Sequence, residues 1–200
     1  MVKANWYAGN ELSSVFGVWA KIYTPYSPPY IVPSNYNGQA NWVSTPGPNW
    51  IQTGWTIVFG ESTPDRYVET CINECWGGRY YVEFGNQSWG SGIDYQIEWI
   101  PGTPDTWCAF IDNVQRKCQP IRSAPSDVQI NSEIQQSPLN GLHTDFSDVH
   151  YKASDNQWRL STQSNYRADF PYNVDIFSSY SFQTNRLQTS EVYLPIISNP

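Results

Sequence analysis

Hydrophobic and polar positions alternate over short stretches along most of this chain. Ile93, Tyr95, Ile97 and Trp99 alternate with Asp94, Gln96 and Glu98, the period-two pattern of a strand with one buried face. Similar patterning predicts strands over 15–23, 39–44, 50–59, 65–70, 79–84, 94–100 and 127–135. Less regular alternation marks 149–152, 158–160 and 175–182. Segments 79–84 and 94–100, joined by a short Gly-containing stretch, are expected to be neighbours in one sheet. The Pro-rich stretch 25–33 cannot form a central strand and is expected to be an extended surface loop.

Composition strengthens the β reading. Ten Trp, 14 Tyr and 8 Phe stand against one Met, with 15 Pro and 13 Gly as punctuation. Aromatic and β-branched residues suit a pleated, half-buried surface, and good helix formers are scarce. No linker or internal repeat divides the chain. Residues 1–200 are therefore expected to form one all-β domain, an antiparallel β-sandwich of jelly-roll or concanavalin-like type with two packed sheets.

Charge narrows the partners. A net charge of −7 offers no basic stripe for phosphates and no attraction to anionic lipid, so neither nucleic acid nor membrane is an expected partner. No apolar run approaches the roughly 20 residues of a spanning helix. The start, Met1-Val2-Lys3-Ala4-Asn5, has no leader character, which fits a mature form with an added Met. The last apolar run, Tyr193 to Ile197, is too short for an anchor.

The four cysteines fall into two close pairs, as expected in an oxidising, extracellular setting. A hairpin with a three-residue loop centred on Asn113 sets Cys108 opposite Cys118. Cys71 and Cys75 would close a small loop. A four-cysteine zinc site is the alternative, although the spacings are not the usual Cys-x-x-Cys pairs.

Much familiar chemistry lacks its parts. There is no Gly-x-Ser-x-Gly elbow, no phosphate-cradling glycine loop and no His-Glu-x-x-His helix. His143, Asp145, Asp148 and His150 have no strict ligand spacing and read as a solvated loop, so no metal or cofactor is expected. Carboxylates and amides remain. Along 128–134, Val128, Ile130 and Ile134 face inward, while Gln129, Asn131 and Glu133 share the other face. Along 50–57, Ile51, Trp55 and Ile57 face inward, and Trp50, Gln52 and Thr56 face the other way. Gly54 leaves that face bare beside Gln52, where a ligand backbone could approach. Such polar faces are either solvated exterior or the floor of a cleft.

The segment Ile51-Gln52-Thr53-Gly54 resembles the strand that carries the catalytic Gln of eqolisins, the acid-acting glutamic peptidases. The segment from Val128 to Ile134 is similar to the strand carrying the catalytic Glu of the related neprosins. Gly17-Val18-Trp19-Ala20, the strand around Trp42 and the pair Cys71 and Cys75 also look neprosin-like. The resemblance spans roughly residues 15–160, in order. One departure is evident: neprosins carry Glu at the position of Gln52, so a preference for cutting after proline does not carry over.

The resemblance implies a secreted, acid-acting endopeptidase, expected to be a monomer acting on polypeptides. In it, Glu133 acts as base and then acid, and the Gln52 amide orients water and donates to the oxyanion. Trp42 and Trp50, with Gln129 and Asn131, are the expected substrate-binding residues; Trp42 reads equally well as core. Two other classes stay open. A jelly-roll glycosidase could use Glu83 and Glu98 on neighbouring strands, and a non-catalytic carbohydrate- or peptide-binding module could use the same aromatic cleft.

Overall fold

The computed structural model describes residues 5–33, 37–73, 75, 78–102, 106–121, 124–135, 137 and 140–187. Strands come first as β1 (Asn5–Val15), β2 (Gly17–Tyr23), β3 (Gly38–Ser44), β4 (Trp50–Val58), β5 (Asp65–Cys71) and β6 (Arg79–Asn86). They continue as β7 (Gly92–Ile100), β8 (Thr106–Ile111), β9 (Val114–Gln119), β10 (Ser126–Gln135) and β11 (His143–Lys152). Four shorter ones follow: β12 (Trp158–Leu160), β13 (Asn165–Ala168), β14 (Tyr172–Ser178) and β15 (Ser181–Arg186). No helix occurs among the described residues.

These strands make two antiparallel sheets, as the alternation predicts. One has seven strands in the order β13-β1-β10-β3-β4-β5-β6; the other runs β14-β15-β11-β2-β7-β8-β9, with β12 beside β11. The core between them is built by strand alternation. Leu12, Val43, Ile51, Trp55, Val128 and Ile130 of the first sheet meet Ile22, Tyr95, Ile97, Trp107, Phe146 and Phe182 of the second. Burying such large side chains stabilises by roughly 1.5–3 kcal/mol each before entropy is charged against it. The stretch 25–33 forms no strand, and Tyr26 and Tyr30 on it are exposed.

The structure corrects several sequence expectations. Segments 79–84 and 94–100 are not neighbours: β6 ends one sheet and β7 lies inside the other. The chain crosses between sheets at Gln87, which is buried and bonded to Ile22 O, Ser91 O and the Tyr95 hydroxyl, at 3.2, 2.9 and 2.7 Å. Glu83 and Glu98 therefore sit on different sheets, and the paired-acid arrangement for a glycosidase is lost. Glu98 is committed to Lys152 at 2.7 Å. The stretch 175–182 is not one strand but a hairpin, β14 to β15, turning at Ser179–Tyr180.

Both cysteine pairs are disulfides, Cys71–Cys75 and Cys108–Cys118, and no described cysteine is free. Cys108 does face Cys118, but by another route than a three-residue loop. The turn has two residues, Asp112 and Asn113, both at positive φ (50° and 61°), as tight hairpins prefer. A bulge between the Ala109–Lys117 and Phe110–Gln115 pairs restores the register.

Candidate functional site

Alternate residues of the seven-stranded sheet point away from the core, and strand register aligns them in rows. One row reads Gln129, Ser44, Gln52, Glu69, Tyr81; the next Gly9, Asn131, Trp42, Gly54, Tyr67; the third Tyr7, Glu133, Ala40, Thr56. Gln52 and Glu133 thus share a face, with β3 between their strands and the Trp42 row between their rows.

Close packing in the middle row comes from glycine. A Cβ on Gly54 would lie 1.8 Å from the Asn41 carbonyl oxygen, and one on Gly9 would lie 2.1 Å from the Ile130 carbonyl oxygen. The space beside Gln52 is therefore filled by the backbone of β3, not left for a ligand as the sequence suggested. Trp42, Ala40 and Tyr67 form a small apolar cluster of their own, and Tyr67 stacks on Tyr81 at 5.5 Å.

Over this face lies a cavity of ≈ 770 Å³ whose walls include Gln52, Glu133, Trp42, Trp50 and Gln129. Asn131 lines a neighbouring groove of ≈ 650 Å³, with Tyr7 and Gln129 common to both. Five of the six expected site residues thus meet in one cavity, and Asn131 lies just beyond it. Trp42 is buried, 5% exposed, but in the cavity floor and not in the core between the sheets.

The amide of Gln52 is fixed. Its Nε2 donates to the Tyr67 hydroxyl at 3.0 Å and to Glu69 Oε2 at 3.1 Å. Glu69, itself buried, also accepts from the Arg79 guanidinium. On the opposite wall, Asn5 Nδ2 donates to Glu133 Oε1 at 2.7 Å and to the Tyr7 hydroxyl at 3.3 Å.

Burial pushes the Glu133 carboxyl above its ordinary value; the nearby Trp42 indole N–H works against this, and the charge of Glu69 adds to it. Burial likewise raises Glu69, opposed by Arg79 and Gln52. The Tyr67 hydroxyl is driven up by burial first, then by the charges of Glu69 and Glu133. One phenol thus senses both carboxylates and touches the amide. One cavity thus presents a neutral amide and a carboxyl whose burial favours its protonated form, groups that general acid–base chemistry uses.

Tyr67, Glu69, Arg79, Tyr7 and Asn5 were not singled out from the sequence. Period-two spacing does put Asp65, Tyr67 and Glu69 on one face, but only register brings Glu69 against Gln52. His143 and His150 lie on strand β11, not on a loop. His143 Nδ1 faces Asn185 Oδ1 at 2.9 Å, while His150 packs on Trp19 at 4.5 Å. Among the described residues no group of three or more His, Cys, Asp or Glu could hold a metal ion.

By sequence the chain matches no family model and no curated protein. Its fold is that of the eqolisin glutamic peptidases. It covers 94% of this chain and 100% of scytalidoglutamic peptidase bound to a transition-state analogue inhibitor, with TM-score 0.61 and 13% identity. The same enzyme with a peptide-based transition-state analogue gives TM-score 0.60 at 13% identity, with the same coverage. SCP-B, an eqolisin in complex with the tripeptide Ala-Ile-His, gives 0.58 at 13% identity, again covering 94% of this chain and 100% of that one.

Proposed function

We propose that this chain is a secreted endopeptidase of the glutamic type, acting as a monomeric, single-domain enzyme on polypeptides in acid and without a cofactor. One observation carries the reading: Gln52 and Glu133, remote in sequence, line a single cavity on a sheet whose fold is that of glutamic peptidases. Two of those relatives are described with peptide or peptide-based ligands, which supports a peptide as the occupant here. The two disulfides fit an oxidising compartment.

In this mechanism the ionised Glu133 takes a proton from a water held between it and Gln52. The water oxygen bonds to the scissile carbonyl carbon. As the C–N bond breaks, Glu133 returns the proton to the leaving nitrogen. The buried Trp42 indole N–H lies by Glu133 and favours its ionised form, the form this mechanism needs in the base. Trp50 and Gln129 would hold the peptide along the cavity, and Asn131 would receive its continuation in the adjoining groove.

The test is cleavage of casein by wild-type protein and by Glu133→Gln, from acid to neutral pH, with folding checked by near-UV circular dichroism. Cleavage by wild type alone is expected. Undiminished cleavage by folded Glu133→Gln protein ends the reading.

A further inference from the structure

Gln52 has two N–H donors and one acceptor oxygen, and the structure shows where the donors go. Both hydrogen-bond distances, 3.0 Å to Tyr67 and 3.1 Å to Glu69, belong to Nε2. The choice of end is physically forced, because an ionised carboxylate only accepts, so the NH₂ end must face Glu69. Gln52 is 9% exposed, and with Nε2 turned into the protein the end left for the cavity is Oε1. Glu69 is held in turn by Arg79, whose side chain is 63% exposed and reaches it from β6.

We propose that Glu69, anchored by Arg79, is a positioning residue that locks the Gln52 amide with Oε1 toward the cavity, so that Gln52 meets the attacking water as an acceptor. This rests on the peptidase reading above. The water then donates one O–H to Glu133 and the other to Gln52 Oε1, which leaves a lone pair free to aim at the carbonyl carbon. Only the proton on the Glu133 side moves; Gln52 keeps its hydrogen count throughout. An oxyanion donor must then come from elsewhere than Gln52. The sequence alone suggested that Gln52 was the donor.

The groups that face Glu69 are Arg79 and Tyr81 from β6, Gln52 from β4, Tyr67 from its own strand, and Glu133 across the cavity. Protonating Glu69 removes an acceptor and frees the amide to turn. Three variants test the lock. Glu69→Leu keeps the volume but cannot accept; it is expected to lower kcat about 100-fold, as small misplacements do, with KM nearly unchanged. Gln52→Glu sets two carboxylates in contact and should distort the pH profile. The double variant Gln52→Glu with Glu69→Gln restores the pair in reverse, with an acceptor still facing the cavity, and should recover most of the lost kcat.

A second readout does not need turnover. The Gln52 side-chain NH₂ resonance, assigned by its disappearance in Gln52→Glu, should shift with pH as Glu69 titrates and should stop doing so in Glu69→Leu. An NH₂ signal that titrates unchanged in Glu69→Leu overturns the proposal, as does a double variant no better than Gln52→Glu. Wild-type protein that cleaves no peptide would instead sink the peptidase reading, while the resonance still decides the orientation of the amide.

Discussion

Gly54 stands opposite Trp42 across the β3–β4 ladder, and the place of its missing Cβ is occupied by the Asn41 carbonyl oxygen, 1.8 Å away. The obstruction is backbone, so it cannot swing aside as a side chain would. Gly54→Ala is expected to push β3 from β4 and destabilise the protein by about 3 kcal/mol or more. A urea melt checks this; an unchanged midpoint would mean that the strands yield freely.

In the proposed mechanism Glu133 carries both the chemistry and a stability cost. Glu133→Gln should lower kcat about 100- to 10,000-fold, the usual worth of a general base. Its carboxyl pKa is raised by burial, as is that of Glu69. A raised acid pKa means the folded state holds protons more tightly than the unfolded chain, so stability falls as pH rises from the unfolded to the folded value. Glu133→Gln should therefore melt higher than wild type at neutral pH, by about 2–4 °C per kcal/mol relieved. Calorimetry at neutral and mildly acid pH measures it, and the gain should shrink on acidification.

In the proposed mechanism the same shift sets the pH–rate profile. A base works only when ionised, so raising the pKa of Glu133 moves the acid limb of kcat/KM upward. The limb is expected above the ordinary glutamate value of about 4.3, with activity at weakly rather than strongly acid pH. A limb below that value would assign the base to another group.

Lys152 and Glu98 form a largely buried pair, with side chains 10% and 15% exposed and 2.7 Å between N and O. Lys152→Met strands the carboxylate and should cost about 3–5 kcal/mol, whereas the double variant with Glu98→Met should recover most of this. Peptide turnover per folded molecule should not change in Glu98→Gln, because this pair lies on the other sheet.

The Cys108–Cys118 bridge closes the β8–β9 hairpin with a sequence separation of 10. Replacing both by Ser should cost about 2–3 kcal/mol on a chain-entropy argument, read as a lower melting temperature that reductant no longer affects at that site.

Legibility in the sequence followed the regularity of each strand. In β10, Val128, Ile130 and Ile134 alternate with Gln129, Asn131 and Glu133, so both the strand and its polar face could be read. β1 escaped because its inward position Asn10 is polar; Asn10 is satisfied by Gln163 O at 3.2 Å and by the Asn165 N–H at 2.9 Å, partners that exist only after folding. The crossover at Gln87 escaped because a short loop joins neighbouring strands more often than it switches sheets. The partners of Gln52 escaped because cross-strand register, unlike alternation, is not written in any one segment.

The bond from Asn5 to Glu133 joins residues 128 positions apart, and β1 is itself flanked by β10 and β13. No fragment emerging early in synthesis contains this wall of the cavity together with Gln52. That wall takes shape only once β10 exists to pair with β1, so the cavity belongs to the closed sheet and not to its N-terminal half.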